Sequence, residues 1–219
     1  MQLQAVAFDL DGTLYPNSVL YMRVIPLFFR YPRIFTRFGR VRRKIRKFRP
    51  IEDFYTLQAE LFAEEMDISL SKSREMIEKI IYPTWEEILG ETDLYSGVRE
   101  VFETLRSMGL KLGVLSDFPV PKKLELLKID GIWDYAYSSE EVGYLKPNPE
   151  PFTHLADCLS LAPEDVLYVG NNYEYDIVGA SKVGMKTAYL SRKRKNPLPD
   201  ISFSKYSELV PKMKTANFL

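Results

Sequence analysis

The chain has 219 residues, 46% hydrophobic and 27% charged, the balance of a globular protein with a substantial core. Its 30 basic and 30 acidic side chains cancel, so no whole-molecule field draws it to nucleic acid or membrane. A single cysteine, Cys158, excludes an intramolecular disulfide or a cysteine-built zinc site, His154 is alone as a triad base, and no apolar run reaches the ~20 residues of a membrane span.

The opening residues MQLQAVAFD lack the charged-then-apolar signature of a signal peptide, so the expected location is cytoplasmic. LQAVAFDL is an apolar strand run without a nearby partner. Next comes a segregation of charge: between Asp11 and Glu52 there is no acid, while eleven Lys or Arg side chains fall there. Tyr31, Ile34, Phe35, Phe38, Val41, Ile45 and Phe48 recur at three- and four-residue spacing, one stripe of an amphipathic helix. Pro32 suits its first turn, Pro50 ends it, and Gly39 leaves room for two shorter helices.

The bland reading of its basic face is solvation over a helical core. The alternatives are attraction of an anionic substrate by some of Arg23, Arg30, Arg33, Arg37, Arg40, Arg42, Arg43 and Lys44, or adsorption to an anionic membrane surface. Two further helical patterns carry Phe54, Leu57, Leu61 and Phe62, then Met76, Ile77, Ile80, Ile81, Trp85, Ile88 and Leu89.

From Gly97 onward short strand runs alternate with helices: KLGVLS, a helix near Lys122–Ile129, YAYSS, a helix near Pro149–Leu159, VLYVG, a helix near Tyr175–Val183, and KTAYL. That alternation predicts an α/β fold with a parallel, Rossmann-like sheet, which the opening strand joins. The expected domains are an α/β core, 1–15 plus 97–219, and an inserted all-helical cap, 16–96. SRKRKNPLPD reads as a loop. His154 is expected to be structural and Cys158 a small buried hydrophobe.

Three strand runs end alike. AVAF meets Asp9 with Asp11 two residues on, LGVL meets Ser116 and Asp117, and VLYVG meets Asn171 with Asp176 five residues later. Ligands of parallel open sheets bind beyond such strand ends. Clustered carboxylates repel unless a cation joins them, and an oxygen-only set of donors suits Mg2+ rather than zinc. Lys146, in GYLKPNPEPF, could add a fixed positive charge, so the set could accept a phosphate dianion. Taken singly, each has a plainer reading: a turn at Asp9, Asp11 and Asn171, helix caps at Ser116, Asp117 and Asp176, a solvated loop at Lys146.

FDLDGTLY, LSD, EEVGYLKPNPEPF and GNNYEYDIVGA resemble, in order, the four motifs of the haloacid dehalogenase superfamily of hydrolases. The resemblance implies a Mg2+-dependent phosphatase acting on a small phosphorylated metabolite through an aspartyl phosphate. Asp9 resembles the nucleophile and Asp11 the general acid and base; an acid at Asp11 favours phosphatase over dehalogenase. Gly12, Thr13, Ser116, Asp117 and Lys146 match the phosphate-binding positions, Asp117 through its backbone N–H. Asp9, the Asp11 carbonyl and Asn171 or Asp176 match the metal ligands. Asn171 departs from the pattern, where an aspartate is usual, so the alternative is an impaired phosphate- or membrane-binding relative. Nucleic acid is not an expected partner.

Overall fold

The computed structural model describes residues 2–18, 22, 25, 29, 31–89, 92–191 and 198–219. The predicted strands all form: β1 Ala5–Phe8, β2 Lys111–Ser116, β3 Tyr135–Ser138, β4 Val166–Gly170 and β5 Lys186–Leu190. A short β6, Ile201–Phe203, which the sequence pattern did not show, adds an edge. The strands pair in parallel in the order β3-β2-β1-β4-β5-β6. The α/β, Rossmann-like reading therefore holds.

Alternate side chains of each strand serve two cores. On one face Val6, Phe8, Leu112, Val114, Leu167 and Val169 pack on Val98, Val101, Phe102 and Leu105 of helix Val98–Ser107 and on Leu209 and Met213 of helix Leu209–Thr215. On the other, Ala5, Ala7, Leu115, Val166 and Tyr168 meet Phe152, Leu155, Ala156 and Leu159 of helix Pro149–Leu159. Burial on both faces is why β1 and β4 read as unbroken apolar runs.

Among the described residues the helices with both ends given are, in chain order, α1 Pro32–Ile45, α2 Phe54–Met66, α3 Leu70–Met76, α4 Tyr82–Leu89, α5 Val98–Ser107, α6 Pro121–Leu126, α7 Pro149–Leu159, α8 Gly179–Lys182 and α9 Leu209–Thr215. Gly39 does not divide α1, which opens on Pro32 and buries Ile34, Phe35, Phe38, Val41 and Ile45. Phe48 falls beyond its end and is exposed. Asp53 caps α2 by accepting from the Tyr55 and Thr56 amides, and Ser69 caps α3. A wide π-turn, Ile77–Ile81, joins α3 to α4. These helices enclose a third core in which Phe38 meets Phe62 edge to face at 5.7 Å, with Leu145 added from the β3–β4 connection. No described helix is long and apolar enough to cross a membrane.

Much of the basic face of α1 is paired within the molecule. Arg37, Arg40 and Lys44 converge on Glu65, at 3.1, 3.0 and 2.6 Å, and hold its carboxyl down to about 2, Lys44 chiefly. Arg42 pairs with Glu140, Arg46 with Asp117, and Arg49 with Glu150. Arg23 and Arg30 lie outside the described residues, as does most of the loop SRKRKNPLPD. The solvated-face expectation holds in part: Arg37, Arg40, Lys44 and Arg49 make ion pairs at the surface and Arg33 and Arg43 are exposed, while Arg42 and Arg46 turn inward and bind the helical segment to the sheet's loops.

The Arg42–Glu140 pair is buried, and Arg42 also donates to Gln58 Oε1 and the Asp117 carbonyl and lies 4.4 Å over the Phe118 ring. Removing one member of a buried pair strands the other's charge. Glu140→Ala is therefore expected to cost about 3 kcal/mol in urea denaturation, the low end for such pairs because Gln58 and Asp117 still accept. Arg42→Met combined with Glu140→Leu is expected to recover part of that loss.

Candidate active site

Beyond Phe8 the chain leaves the sheet between β2 and β4, where the strand order reverses. The Asp9 amide donates to the Val169 carbonyl at 2.9 Å. The Thr13 and Leu14 amides then bond back to Leu10, closing a tight turn. Gly12 sits in that turn at φ +83°, and a Cβ there would run into the Asn17 and Asn171 side chains. The turn thus faces the end of β4 at close range.

Lys146 is the hub. Its Nζ lies 2.8 Å from Asp9 Oδ1, 2.6 Å from Asp176 Oδ1 and 3.2 Å from the Tyr168 hydroxyl. Asp176 Oδ2 accepts the Asn172 amide at 2.9 Å. The helix expected near Tyr175 begins earlier, as a π-turn, Tyr173–Val178, because Asn172 caps it through the Glu174 and Tyr175 amides. That turn brings Asp176 back over Gly170, where a Cβ would collide with it. Thr13 Oγ1 stands 2.8 Å from Asp9 Oδ2 and 3.3 Å from Asn171 Oδ1.

Asp11 has a separate set of partners. Lys123 Nζ reaches both its oxygens, at 2.8 and 2.6 Å, while Tyr15 O–H donates to Oδ1 and Ser116 O–H to Oδ2 at 3.2 Å. Asp117 is an anchor: Oδ1 accepts from Ser139 O–H at 2.7 Å and the Lys146 amide at 3.1 Å, and Oδ2 from Arg46 at 2.6 Å. Arg46 also lies 4.3 Å over the Tyr175 ring.

A cavity of about 320 Å³ opens among these groups, lined by Asp9, Asp11, Lys146, Asn171 and Asp176 and, from α1's C-terminal turn, Arg46. Asp117, Phe118 and Tyr175 complete much of the wall. Asp9, Asp11, Lys146, Asn171 and Asp176, scattered in the sequence, thus meet at one cavity. Gly12, Thr13 and Ser116 stand just behind its wall, and Ser116 spends its hydroxyl on Asp11. His154 sits on α7 beside Tyr135 and Tyr137, away from the cavity. Cys158 is exposed, contrary to expectation, on the solvent side of α7. Sequence reading missed Lys123, Tyr15, Arg46 and Tyr168. A signal existed for Lys123, which falls on the same stripe as the buried Val120, Leu124 and Leu127.

Charge decides what the cavity favours. Asp9, Asp11, Asp117 and Asp176 face Lys123, Lys146 and Arg46, leaving one negative charge in excess. It is felt at Asp9, where burial, with Asp176 and Asp11 nearby, overcomes Lys146 and pushes the carboxyl from 3.8 to about 7. Burial works against Asp11 too, yet Lys123, Tyr15 and Ser116 hold it below the usual carboxylate range. Arg46, Lys146 and Arg42 do the same for the buried Asp117.

The excess charge and the oxygen donors fit a divalent cation of the Mg2+ type. The described residues offer no cluster of three or more His, Cys, Asp or Glu side chains for a metal, so the fit rests on mixed donors. Asp9 carboxylate and Asn171 Oδ1 both approach Thr13 Oγ1, and the Asp11 carbonyl is the third candidate. Asp176, also expected as a ligand, lines the same cavity, where Lys146 bonds one of its oxygens and the Asn172 backbone amide the other.

A carboxyl whose folded pKa is raised adds stability below its unfolded value, and loses it as pH rises through the folded one. In EDTA, the thermal midpoint of the protein is therefore expected to fall between pH 5 and pH 8 relative to that of Asp9→Asn. Mg2+ is expected to flatten the difference. A midpoint difference that does not change over this range would show that Asp9 carries no uncompensated charge.

A family model described as haloacid dehalogenase-like hydrolase matches residues 3–184. The chain is 29% identical to Pyrophosphatase PpaX of Bacillus cereus (strain G9842), with 99% of each covered, and equally so to Pyrophosphatase PpaX of Bacillus thuringiensis (strain Al Hakam). Among solved structures it resembles the HAD phosphatase from Thermococcus onnurineus at a TM-score of 0.63, with 23% identity and 96% and 97% of the chains covered. It resembles the L-2-haloacid dehalogenase from Xanthobacter autotrophicus at 0.66, with 18% identity and 98% and 99% covered. At such identities these two structures speak for the fold alone.

Proposed function

The chain belongs to the haloacid dehalogenase-like hydrolases, and on that premise we propose that it is a phosphatase of small phosphorylated substrates working through an aspartyl phosphate on Asp9. The observation that carries the reading is the pair Asp9 and Asp11 on one turn, each held by its own buried lysine. A dehalogenase has no use for a second acid at that place.

An Asp9 oxygen attacks phosphorus, a new oxygen–phosphorus bond forms, and the bond to the leaving oxygen breaks, with Asp11 in place to supply that oxygen's proton. In the second half a water oxygen attacks phosphorus, its proton passes to Asp11, and Asp9 is released as carboxylate. Lys146 offsets charge on Asp9 and on the phosphoryl group throughout. The Gly12 and Asp117 backbone N–H groups are proposed as donors to the phosphoryl oxygens, while the Thr13 amide and the Ser116 hydroxyl are bonded to Leu10 and Asp11 and hold the turn and the acid in place. Asp9, the Asp11 carbonyl and Asn171 would hold Mg2+, which when bound offsets the negative charge of the phosphoryl group. Asn171 contributes an oxygen without charge, and the buried Asp176 beside it restores part of the field.

The helical segment 16–96 is proposed as a cap, since Arg46 carries its α1 into the cavity wall. A cavity of about 320 Å³ with few apolar walls suits a compact, strongly anionic ester or anhydride. The PpaX relatives carry the name pyrophosphatase, which makes inorganic pyrophosphate the first substrate to try.

The test is turnover of p-nitrophenyl phosphate and pyrophosphate with Mg2+ and with EDTA. Turnover with Mg2+ alone is expected, and Asp9→Asn is expected to lose at least ~10³-fold in kcat. Asn171→Asp is expected to reach half-maximal rate at lower Mg2+. No metal-dependent turnover of either compound would end the phosphatase reading. A native rate near background that Asn171→Asp restores would instead favour an impaired enzyme.

A further inference from the structure

Behind the cavity wall, against Asp11, lies a second lysine that none of the four sequence motifs includes. Lys123 lies on α6, its side chain 3% exposed, while the Asp11 carboxylate it holds is 26% exposed and lines the cavity. Among the described residues its ammonium donates only to Asp11, to both oxygens, and otherwise lies 5.3 Å from the Phe118 ring centroid. Taking a lysine out of water is unfavourable, and a residue that merely filled space here would be apolar, like its neighbours Val120, Leu124 and Leu127. The two contacts at 2.8 and 2.6 Å fix the plane of the carboxylate, and Tyr15 and Ser116 each add a donor at one oxygen. With four donors directed at it, Asp11 is built as an acceptor.

Resting on the phosphatase reading, we propose that Lys123 is a positioning residue for hydrolysis of the aspartyl phosphate. It holds the Asp11 carboxylate against the wall, in place to take the proton of the attacking water. In that step the water oxygen bonds to phosphorus, the phosphorus–oxygen bond to Asp9 breaks, its electron pair returns to the Asp9 carboxylate, and the water proton goes to Asp11. Lys123 touches none of the reacting atoms and acts only through Asp11.

The experiment is a double-mutant cycle of Lys123→Met and Asp11→Asn, followed by rapid acid quench with p-nitrophenyl phosphate and Mg2+. Lys123→Met is expected to lower kcat about tenfold or more and KM in proportion, with kcat/KM within about twofold, since slower hydrolysis of the covalent intermediate leaves the first half of the reaction untouched. Nitrophenol is expected to appear in a burst, and phosphate trapped on the enzyme to account for most active sites. Lys123→Arg, which can keep two contacts to the carboxylate, is expected to restore most of the rate. In the Asp11→Asn background, Lys123→Met is expected to change kcat by no more than about twofold, because its effect runs through the missing carboxylate.

Additive losses, or a slow Lys123→Met enzyme without burst or trapped phosphate, would overturn the assignment. Should Lys123→Met alone fail to fold, the double variant, which lacks both charges, decides against Asp11→Asn alone: equal rates support the role and a further tenfold fall overturns it. Wild-type protein with no turnover would sink the phosphatase reading itself. Wild-type turnover with an additive cycle would sink only the role of Lys123.

Discussion

The ammonium of Lys146 is the point on which the rest of the structure depends. It is buried, and it gathers Asp9 from the end of β1, Tyr168 from β4 and Asp176 from the turn after β4. A desolvated ammonium needs its charge matched, and two carboxylates over-match it. The surplus falls on Asp9, whose carboxyl is pushed up to about 7, so the protein stores an unfavourable charge at the group proposed as the nucleophile. The cost of that charge is also the affinity of the cavity for a cation. Close-packed strand ends, set by the apolar runs of β1 and β4, keep the carboxylates from drifting apart to relieve it.

The same logic extends outward through Asp117. One of its oxygens takes Ser139 and the Lys146 amide, and the other takes Arg46 from α1. Arg46 also donates to the Lys146 carbonyl at 2.7 Å, so the loop bearing the central lysine is gripped from both sides. Six of the eleven cations in the acid-free stretch are taken up by ion pairs of this kind. Basic residues of α1 sit where they do because Glu65, Glu140, Asp117 and Glu150 wait for them on other elements.

Much of the fold was legible because its signals are local. Strands buried on both faces must be apolar runs, and α7 was readable to both ends since Pro149 starts it and its apolar stripe stops at Leu159. β6 was missed because three residues carry no periodicity. The early start of the turn at Tyr173 follows from a cap by Asn172, a residue the motif reading passed over. Phe48 looked like part of a stripe because spacing cannot say where a helix stops. Cys158 was misjudged because the tendency of cysteine toward burial is an average, and its helix has a wet side. Of the site, residues named by the motifs meet at one cavity, while Lys123 and Arg46 escaped since their partners are 112 and 71 positions away in the chain.

Fold likeness does not choose between the chemistries this family supports, because dehalogenases and phosphatases match the chain about equally well in shape. The choice is made by a few atoms near the strand ends. A dehalogenase nucleophile works beside a neutral neighbour, whereas here a second carboxylate stands two residues away and is given its own buried cation. Without Lys123 the two acids would raise each other's pKa, and Asp11 would lose its hold on a defined position. With it, the charges separate into two pairs, Asp9 with Lys146 and Asp11 with Lys123, which the proposed mechanism uses for attack and for proton transfer. Two carboxylates driven apart in pKa by separate surroundings are what a two-stage hydrolysis needs, because nucleophile and base must coexist in one cavity without neutralising each other.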